Sequence, residues 1–187
     1  LDFQSHGEKV AYMISYEDAK TLLHDYGMPE KRIRHSELVA RFAGDLARRI
    51  AAAHPEYGID PHRVTIGGLL HDIGRCAPHG DHERVSVEIC HRLGLHDIAR
   101  IVIHGTIYEM EKLRGTEDPS LVPASVENEI VAYADARARD RIITLQERFD
   151  DLLHRKKKDS MKYTAVCMSR QRFEEMEKRL LDLAGQA

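Results

Sequence analysis

No apolar run in the chain approaches the roughly 18 consecutive residues that a membrane-spanning helix requires, and no secretory signal is visible. A membrane partner is therefore not expected. Cysteine is scarce: Cys76, Cys90 and Cys167 are odd in number and form no CxxC pair. That argues against a disulfide framework and points to a reducing, cytoplasmic setting. Charge of one sign is also missing. Lys and Arg number 28 against 31 Asp and Glu, for a formal charge of −3, which gives no support for a nucleic-acid polymer as partner. Strand alternation and internal repeats are absent. What is present is 187 residues, 42% hydrophobic and 32% charged, the profile of one helix-rich domain with enough chain to bury a core. The expected fold is all-α, a compact single-domain bundle of about seven to eight helices.

Leu1-Asp2-Phe3-Gln4-Ser5-His6-Gly7 looks like a tag-cleavage remnant with Asp2 in place of a tyrosine. Residues 1–12 are set aside for that reason, with Met13 as the expected natural start and the domain over 13–187. From there, Ser15 caps a predicted helix from Tyr16 to Asp25, stopped by Gly27 and Pro29. A second helix, about Glu30 to Ala53, carries the stripe His35, Leu38, Val39, Phe42, Leu46 and Ile50, so His35 stands in line with core residues. Helices are further expected from His82 to Leu93, over 98–102 and ending at His104-Gly105, from Val126 to Arg139, onward to about Leu153, and from Arg170 to Leu183. The last presents Phe173, Met176, Leu180 and Leu183 to the body or to a second copy of the chain, so a homodimer stays open. Residues 111–124, with Gly115, Pro119 and Pro123, read as a loop of lid-like length. Arg155-Lys156-Lys157-Lys158 reads as a solvated loop in preference to an anion-binding patch.

The third helix organises the rest. Asp60-Pro61 is an N-cap with proline at the first helical position, and Gly74 is the expected stop, with Thr65-Ile66-Gly67-Gly68-Leu69-Leu70-His71-Asp72-Ile73 between them. The helix is apolar nearly all round and should be buried. Two glycines inside it cost roughly 1 kcal/mol each relative to alanine, so a neighbouring backbone is expected to pass close to His71-Asp72. A buried His-Asp pair has a bland reading, a hydrogen-bonded core pair. The other polar residues at inward positions or helix ends weigh against it: His35, His82, His104 and Asp135. Four imidazoles and two carboxylates suit Fe, Mn, Co, Ni or Zn, and the lack of cysteine argues against a structural zinc site. Six ligands exceed the need of one catalytic ion with open positions, so two divalent ions are expected, with Asp72 as the bridge. His79 is an alternative supplier of the His82 ligand. His54, His62, His91 and His96 read as solvated, Tyr108 and Glu109 as surface residues near the mouth, and Cys76 lacks a paired base.

The order His…His-Asp…His…His…Asp resembles the HD-domain superfamily of metal-dependent phosphohydrolases, and small stand-alone HDIG proteins above all. Gly68 to Arg75 looks like the family's central segment, with Arg75 in place of its usual lysine. His82 to Ile89 resembles the following helix, with Ser86 where a glycine is usual; Ile101-Val102-Ile103-His104 and Glu129 to Asp135 resemble the remaining two segments. The resemblance covers about residues 30–141. It implies six metal ligands (His35, His71, Asp72, His82, His104 and Asp135), two ions with Asp72 between them, and hydrolysis of a phosphate ester or anhydride by metal-activated hydroxide. It also implies a small phosphorylated substrate, a nucleotide or dinucleotide, held by Arg75 and Arg141. Relatives that cleave dinucleoside tetraphosphates carry a lysine where this chain has Ala136, and an arginine at the position of Arg141. Members of the same fold that bind two irons and activate O₂, and a regulator that binds a nucleotide without cleaving it, are the alternatives.

Overall fold

The computed structural model describes residues 13–78 and 81–185; the tag-like residues 1–12 and His79 lie outside the described residues. Nine α-helices form among these: α1 (Tyr16–Asp25), α2 (Glu30–Ala53), α3 (Pro61–Leu70), α4 (His82–Arg92), α5 (His96–Ala99), α6 (Ile107–Leu113), α7 (Val126–Arg137), α8 (Leu145–Lys156) and α9 (Ser160–Leu183). Among the described residues the sole β feature is an isolated bridge between Ala138 and Ile142, so the fold is all-α. None of the helices is long and apolar enough to cross a membrane.

The helix starts follow local side-chain chemistry. Ser15, Asp60, Asp81, Ser125, Thr144 and Asp159 each accept a backbone N–H of the first turn, the group a helix leaves unpaired at its N-terminus. α2 and α3 pack against each other most extensively, and both contribute to two apolar clusters. One joins them to α7, α8 and α9, the other to α1, α4 and α5. The glycines of α3 permit this. A Cβ on Gly68 would lie 2.9 Å from the Ala40 Cα on α2, so the close backbone passage expected from the sequence is there; Gly67 faces the Ile101 side chain instead.

Five expectations need correction. α3 stops at Leu70 and not at Gly74. His71 and Asp72 form a turn, and Ile73–Cys76 is a 3-10 turn. The reason is Ser86 on α4: its hydroxyl accepts the Gly74 N–H (2.9 Å) and donates to the His71 carbonyl (2.8 Å), diverting both groups from α-helical pairing. The helix expected to reach His104 ends at Ala99: the His104 N–H that would pair with the Arg100 carbonyl goes to the buried Glu83 carboxylate (3.1 Å), and the buried Asn128 amide donates to the carbonyls of Ile101 (3.0 Å) and Ile103 (2.6 Å). The loop expected over 111–124 begins only after α6, and Glu109 is buried, paired with Arg172 of α9. α9 begins ten residues earlier than expected, at Ser160, and packs on α6, α7 and α8.

Candidate metal centre

The turn after α3 sets His71 and Asp72 at the meeting point of five segments. His35 comes from α2, Asp135 from near the end of α7, and His82 is the first residue of α4. His104 ends the extended segment that Asn128 holds. The buried Glu83 carboxylate fixes it further, accepting the N–H groups of His104 (3.1 Å) and Gly105 (2.9 Å). The structure thus brings all six candidate ligands together. Glu83, Ser86 and Asn128, which position them, had no assigned role in the sequence; only Ser86 gave a signal, as a departure from the resembled pattern.

The ligand atoms fall into two halves that share Asp72. In one, Asp135 Oδ1 lies 3.0 Å from His35 Nε2 and 3.5 Å from His71 Nε2. In the other, Asp72 Oδ1 lies 3.3 Å from His82 Nε2 and 3.5 Å from His104 Nε2, while Oδ2 lies 3.9 Å from His71 Nε2. Three groupings, His35-His71-Asp72, His71-His104-Asp135 and Asp72-His82-His104, have ligand atoms within 4.8 Å of one another.

The hydrogen bonds outside this cluster decide what faces into it. His71 Nδ1 donates to the Gly68 carbonyl and His104 Nδ1 to the Val102 carbonyl, both at 2.7 Å. A carbonyl only accepts, so each Nδ1 carries a hydrogen, and Nε2 is the ring atom turned toward a carboxylate. Lone pair against carboxylate oxygen is repulsive unless a cation stands between them, either a proton or a metal ion. His71 Nε2, His82 Nε2 and Asp72 Oδ1 are buried with no hydrogen-bond partner, which buried polar atoms rarely tolerate. The donor set fits divalent metal: imidazole nitrogens fixed by bonds at their other nitrogen, and carboxylates shared between them.

The titration behaviour of these groups says the same. Burial opposes ionisation of Asp72, but His71, His104 and Arg75 outweigh it and hold the carboxyl well below its usual range. Asp135 is likewise held low despite burial, through His35, His71 and the charge of Arg148. For His104 burial works against the charged form, yet Glu83 and Asp72 raise it to about 10, whereas burial and the neighbouring charges of His104 and Arg75 lower His82 to about 3. Both imidazoles face Asp72 Oδ1, and one proton serves the pair.

A stability profile follows for the metal-free protein. The raised His104 stabilises the fold below its unfolded pKa of 6.5, and that contribution is lost as pH climbs toward 10. The depressed His82 stabilises above 6.5, and its contribution is lost as pH falls toward 3, because the unfolded side chain takes up a proton first. Stability in chelator should therefore peak near pH 6.5. Added metal should flatten the alkaline limb, since an ion replaces the shared proton. Denaturation midpoints across the range check this; a profile rising steadily through the expected maximum contradicts it.

Basic groups surround the cluster. Arg75 Nε lies 2.5 Å from Asp72 Oδ2, with its side chain 32% exposed. Arg141, expected beside it, is placed elsewhere: it is 71% exposed, between α7 and α8, and pairs with Glu147 at 3.3 Å. The seven-residue excursion from Arg141 to Arg148 explains the difference, since the chain turns through Ile142 and Ile143 before α8 brings an arginine back. Arg148, which carried no signal in the sequence, lies 3.7 Å from Asp135 Oδ2. Lys156 ends α8 and is partly buried, in contrast to the solvated loop expected; burial and then Lys162, Arg155 and Arg75 lower its pKa. Away from the centre, His91 and His96 pair on the surface at 3.0 Å, and His62 Nε2 contacts the Ile14 carbonyl.

A family model described as HD domain matches residues 32–140. An uncharacterized protein of Methanocaldococcus jannaschii is 34% identical over 128 residues, 65% of this chain and 74% of that protein. A tRNA (cytidine(56)-2'-O)-methyltransferase of Thermoplasma volcanium is 34% identical over 81% of the chain, which spans 44% of that protein. Ribonuclease Y of Pseudothermotoga lettingae is 30% identical over 82% of the chain, which spans 27% of that protein. No solved structure matches the chain.

Proposed function

Because the chain belongs to the HD-domain family of metal-dependent phosphohydrolases, we propose that it hydrolyses a phosphate ester or anhydride of a small phosphorylated molecule, a nucleotide or dinucleotide in the first instance. The observation that carries this reading is the set of imidazole lone pairs turned toward carboxylates, with three buried polar atoms lacking partners. His35, His71, Asp72 and Asp135 would hold one divalent ion, and Asp72, His82 and His104 a second. Ions held there would lower the pKa of water from about 15.7 to about 7 and would neutralise charge on the phosphate oxygens.

The chain's own residues supply the rest. The Gly68 and Val102 carbonyls fix the rings of His71 and His104, and Glu83 and Asn128 hold the backbone that carries His104, so no reorientation is needed during reaction. Arg75 presents a planar fork at the rim, suited to two phosphate oxygens at once. In the overall reaction a P–O bond to the oxygen of water forms as the P–O bond to the leaving group breaks, and a proton of that water ends on the leaving oxygen. The RNA-related names belong to proteins of which this chain spans under half, and the chain's charge of −3 favours a small substrate over a polymer.

Metal content of freshly purified protein, followed by release of phosphate from mononucleotides or of mononucleotides from dinucleotides with Mn, Fe, Co and Ni, tests the proposal. Two ions per chain and release from one nucleotide class support it. Two irons with substrate-dependent O₂ uptake and no hydrolysis overturn it in favour of an oxygenase; tight nucleotide binding without turnover in excess metal overturns it in favour of a regulator. The two arginines give a sharper check. Arg75→Gln should lower kcat/KM by about 100-fold, the loss of a bidentate charged contact. Arg141→Gln, on the exposed surface, should stay within about twofold. Equal effects would mean that Arg75 does not touch substrate.

A further inference from the structure

Three guanidinium groups from separate segments converge on the two carboxylates of the centre. Arg32 of α2 lies 3.7 Å from Asp72 Oδ2, Arg75 lies 2.5 Å from the same oxygen, and Arg148 of α8 lies 3.7 Å from Asp135 Oδ2. Among the described residues these carboxylates are the only acidic partners of all three. Arg148 is the most informative: its side chain is 15% exposed, and its Nε–H is buried with no hydrogen-bond partner. An unpaired arginine on a surface is ordinary, whereas a buried one with a free donor is costly unless something completes it.

Charge balance says what completes it. Asp72 and Asp135 offset only half the charge of two divalent ions. With ions in place, the three guanidiniums stand without counter-charge of their own. A neutral substrate leaves that imbalance untouched. An internal phosphodiester brings one negative charge and two non-bridging oxygens, too few for two ions and three forked donors together. A terminal phosphate brings three non-bridging oxygens and close to two charges above a pH of about 6.

Resting on the hydrolytic reading above, we propose that Arg148, together with Arg32 and Arg75, forms a clamp for a terminal, dianionic phosphate, so that the substrate is a phosphomonoester or the end phosphate of an anhydride chain and not an internal diester. Arg148 is a substrate-binding residue in this scheme, donating to a phosphate oxygen on the α8 side of the centre.

The test uses Mn-loaded protein and two probe anions, inorganic phosphate and dimethyl phosphate, with affinity read by calorimetry and metal content by elemental analysis. Wild-type protein should bind phosphate at least about 100-fold more tightly than the diester. Arg148→Gln should lower that preference by about tenfold with metal content unchanged, and Arg148→Lys should restore part of it. Arg32→Gln, at a half-exposed position, should lower the preference in the same direction should the Arg148 variants fold poorly. Equal affinity for the two anions overturns the inference. So does an Arg148→Gln protein that loses metal, since Arg148 would then act only by positioning Asp135. Turnover separates the two levels. Hydrolysis of bis-p-nitrophenyl phosphate as fast as p-nitrophenyl phosphate rejects the terminal-phosphate clamp and keeps the hydrolase. Strong phosphate preference with no turnover of any ester rejects the hydrolase and keeps the clamp.

Discussion

Asp72→Ala should strip the centre of stoichiometric metal and lower turnover by at least about 10³-fold, roughly 4 kcal/mol of transition-state stabilisation. The size of the effect follows from the position of this one carboxylate. Its Oδ1 faces His82 and His104, and its Oδ2 faces His71, Arg75 and Arg32, so both halves of the centre lose a donor together. Removing any single histidine takes one donor from one half. The loss should also show without metal. With Asp72 gone, one of the charges that raise His104 disappears, so the alkaline fall in stability should shrink. Asp72→Asn, close in shape, separates charge from packing. Metal analysis and single-substrate kinetics read the result; an alanine variant with two ions and wild-type turnover would sink the two-ion scheme.

Gly74→Ala should damage the fold strongly. An added Cβ would lie 2.5 Å from the backbone nitrogen of Ser86 and closer still to the carbonyl oxygen of His82. Both atoms belong to the main chain of α4, so no side-chain rotation relieves the overlap and the helix itself must move. Movement breaks the two Ser86 hydrogen bonds that hold the His71-Asp72 turn and displaces His82. A cost of about 4 kcal/mol or more is expected, against a typical domain stability of about 5–15 kcal/mol. Gly68→Ala should cost less. Its nearest neighbour is the Ala40 Cα at 2.9 Å, and alanine recovers about 1 kcal/mol of helix propensity. Denaturant midpoints order the two. A Gly74→Ala protein within about 1 kcal/mol of wild type would show that α4 is not held as described.

The contrast between these glycines shows what a sequence can carry. Gly67 and Gly68 violate helix propensity inside an otherwise strong apolar pattern, and that local conflict was enough to predict a close backbone neighbour. Gly74 gave no such signal. It reads as an ordinary helix stop, and only the crossing of α4 shows that its missing side chain is a packing requirement. Helix starts were legible for a similar reason: Ser15, Asp60-Pro61 and Ser125 act on backbone groups two or three residues away, and such chemistry needs no tertiary partner. Two helix ends were not. α3 yields its last turn to Ser86, and the segment before His104 yields its helix to Glu83 and Asn128; these partners are distant in sequence.

The same division holds at the centre. The chain alone determined the six candidate ligands, since His35, His71, Asp72, His82, His104 and Asp135 each sit at an inward or helix-end position where a polar residue needs a reason. It determined the all-α class through periodicity, which is local. The tertiary structure decided which cations attend the site. Arg141 was named by its place in the resembled family's pattern, a few residues past Asp135, but the loop after α7 carries it to the surface, and α8 returns Arg148 to the centre. Charge acts through space, while sequence spacing measures only the chain path, so the arginine nearest in sequence and the arginine nearest in space need not be the same.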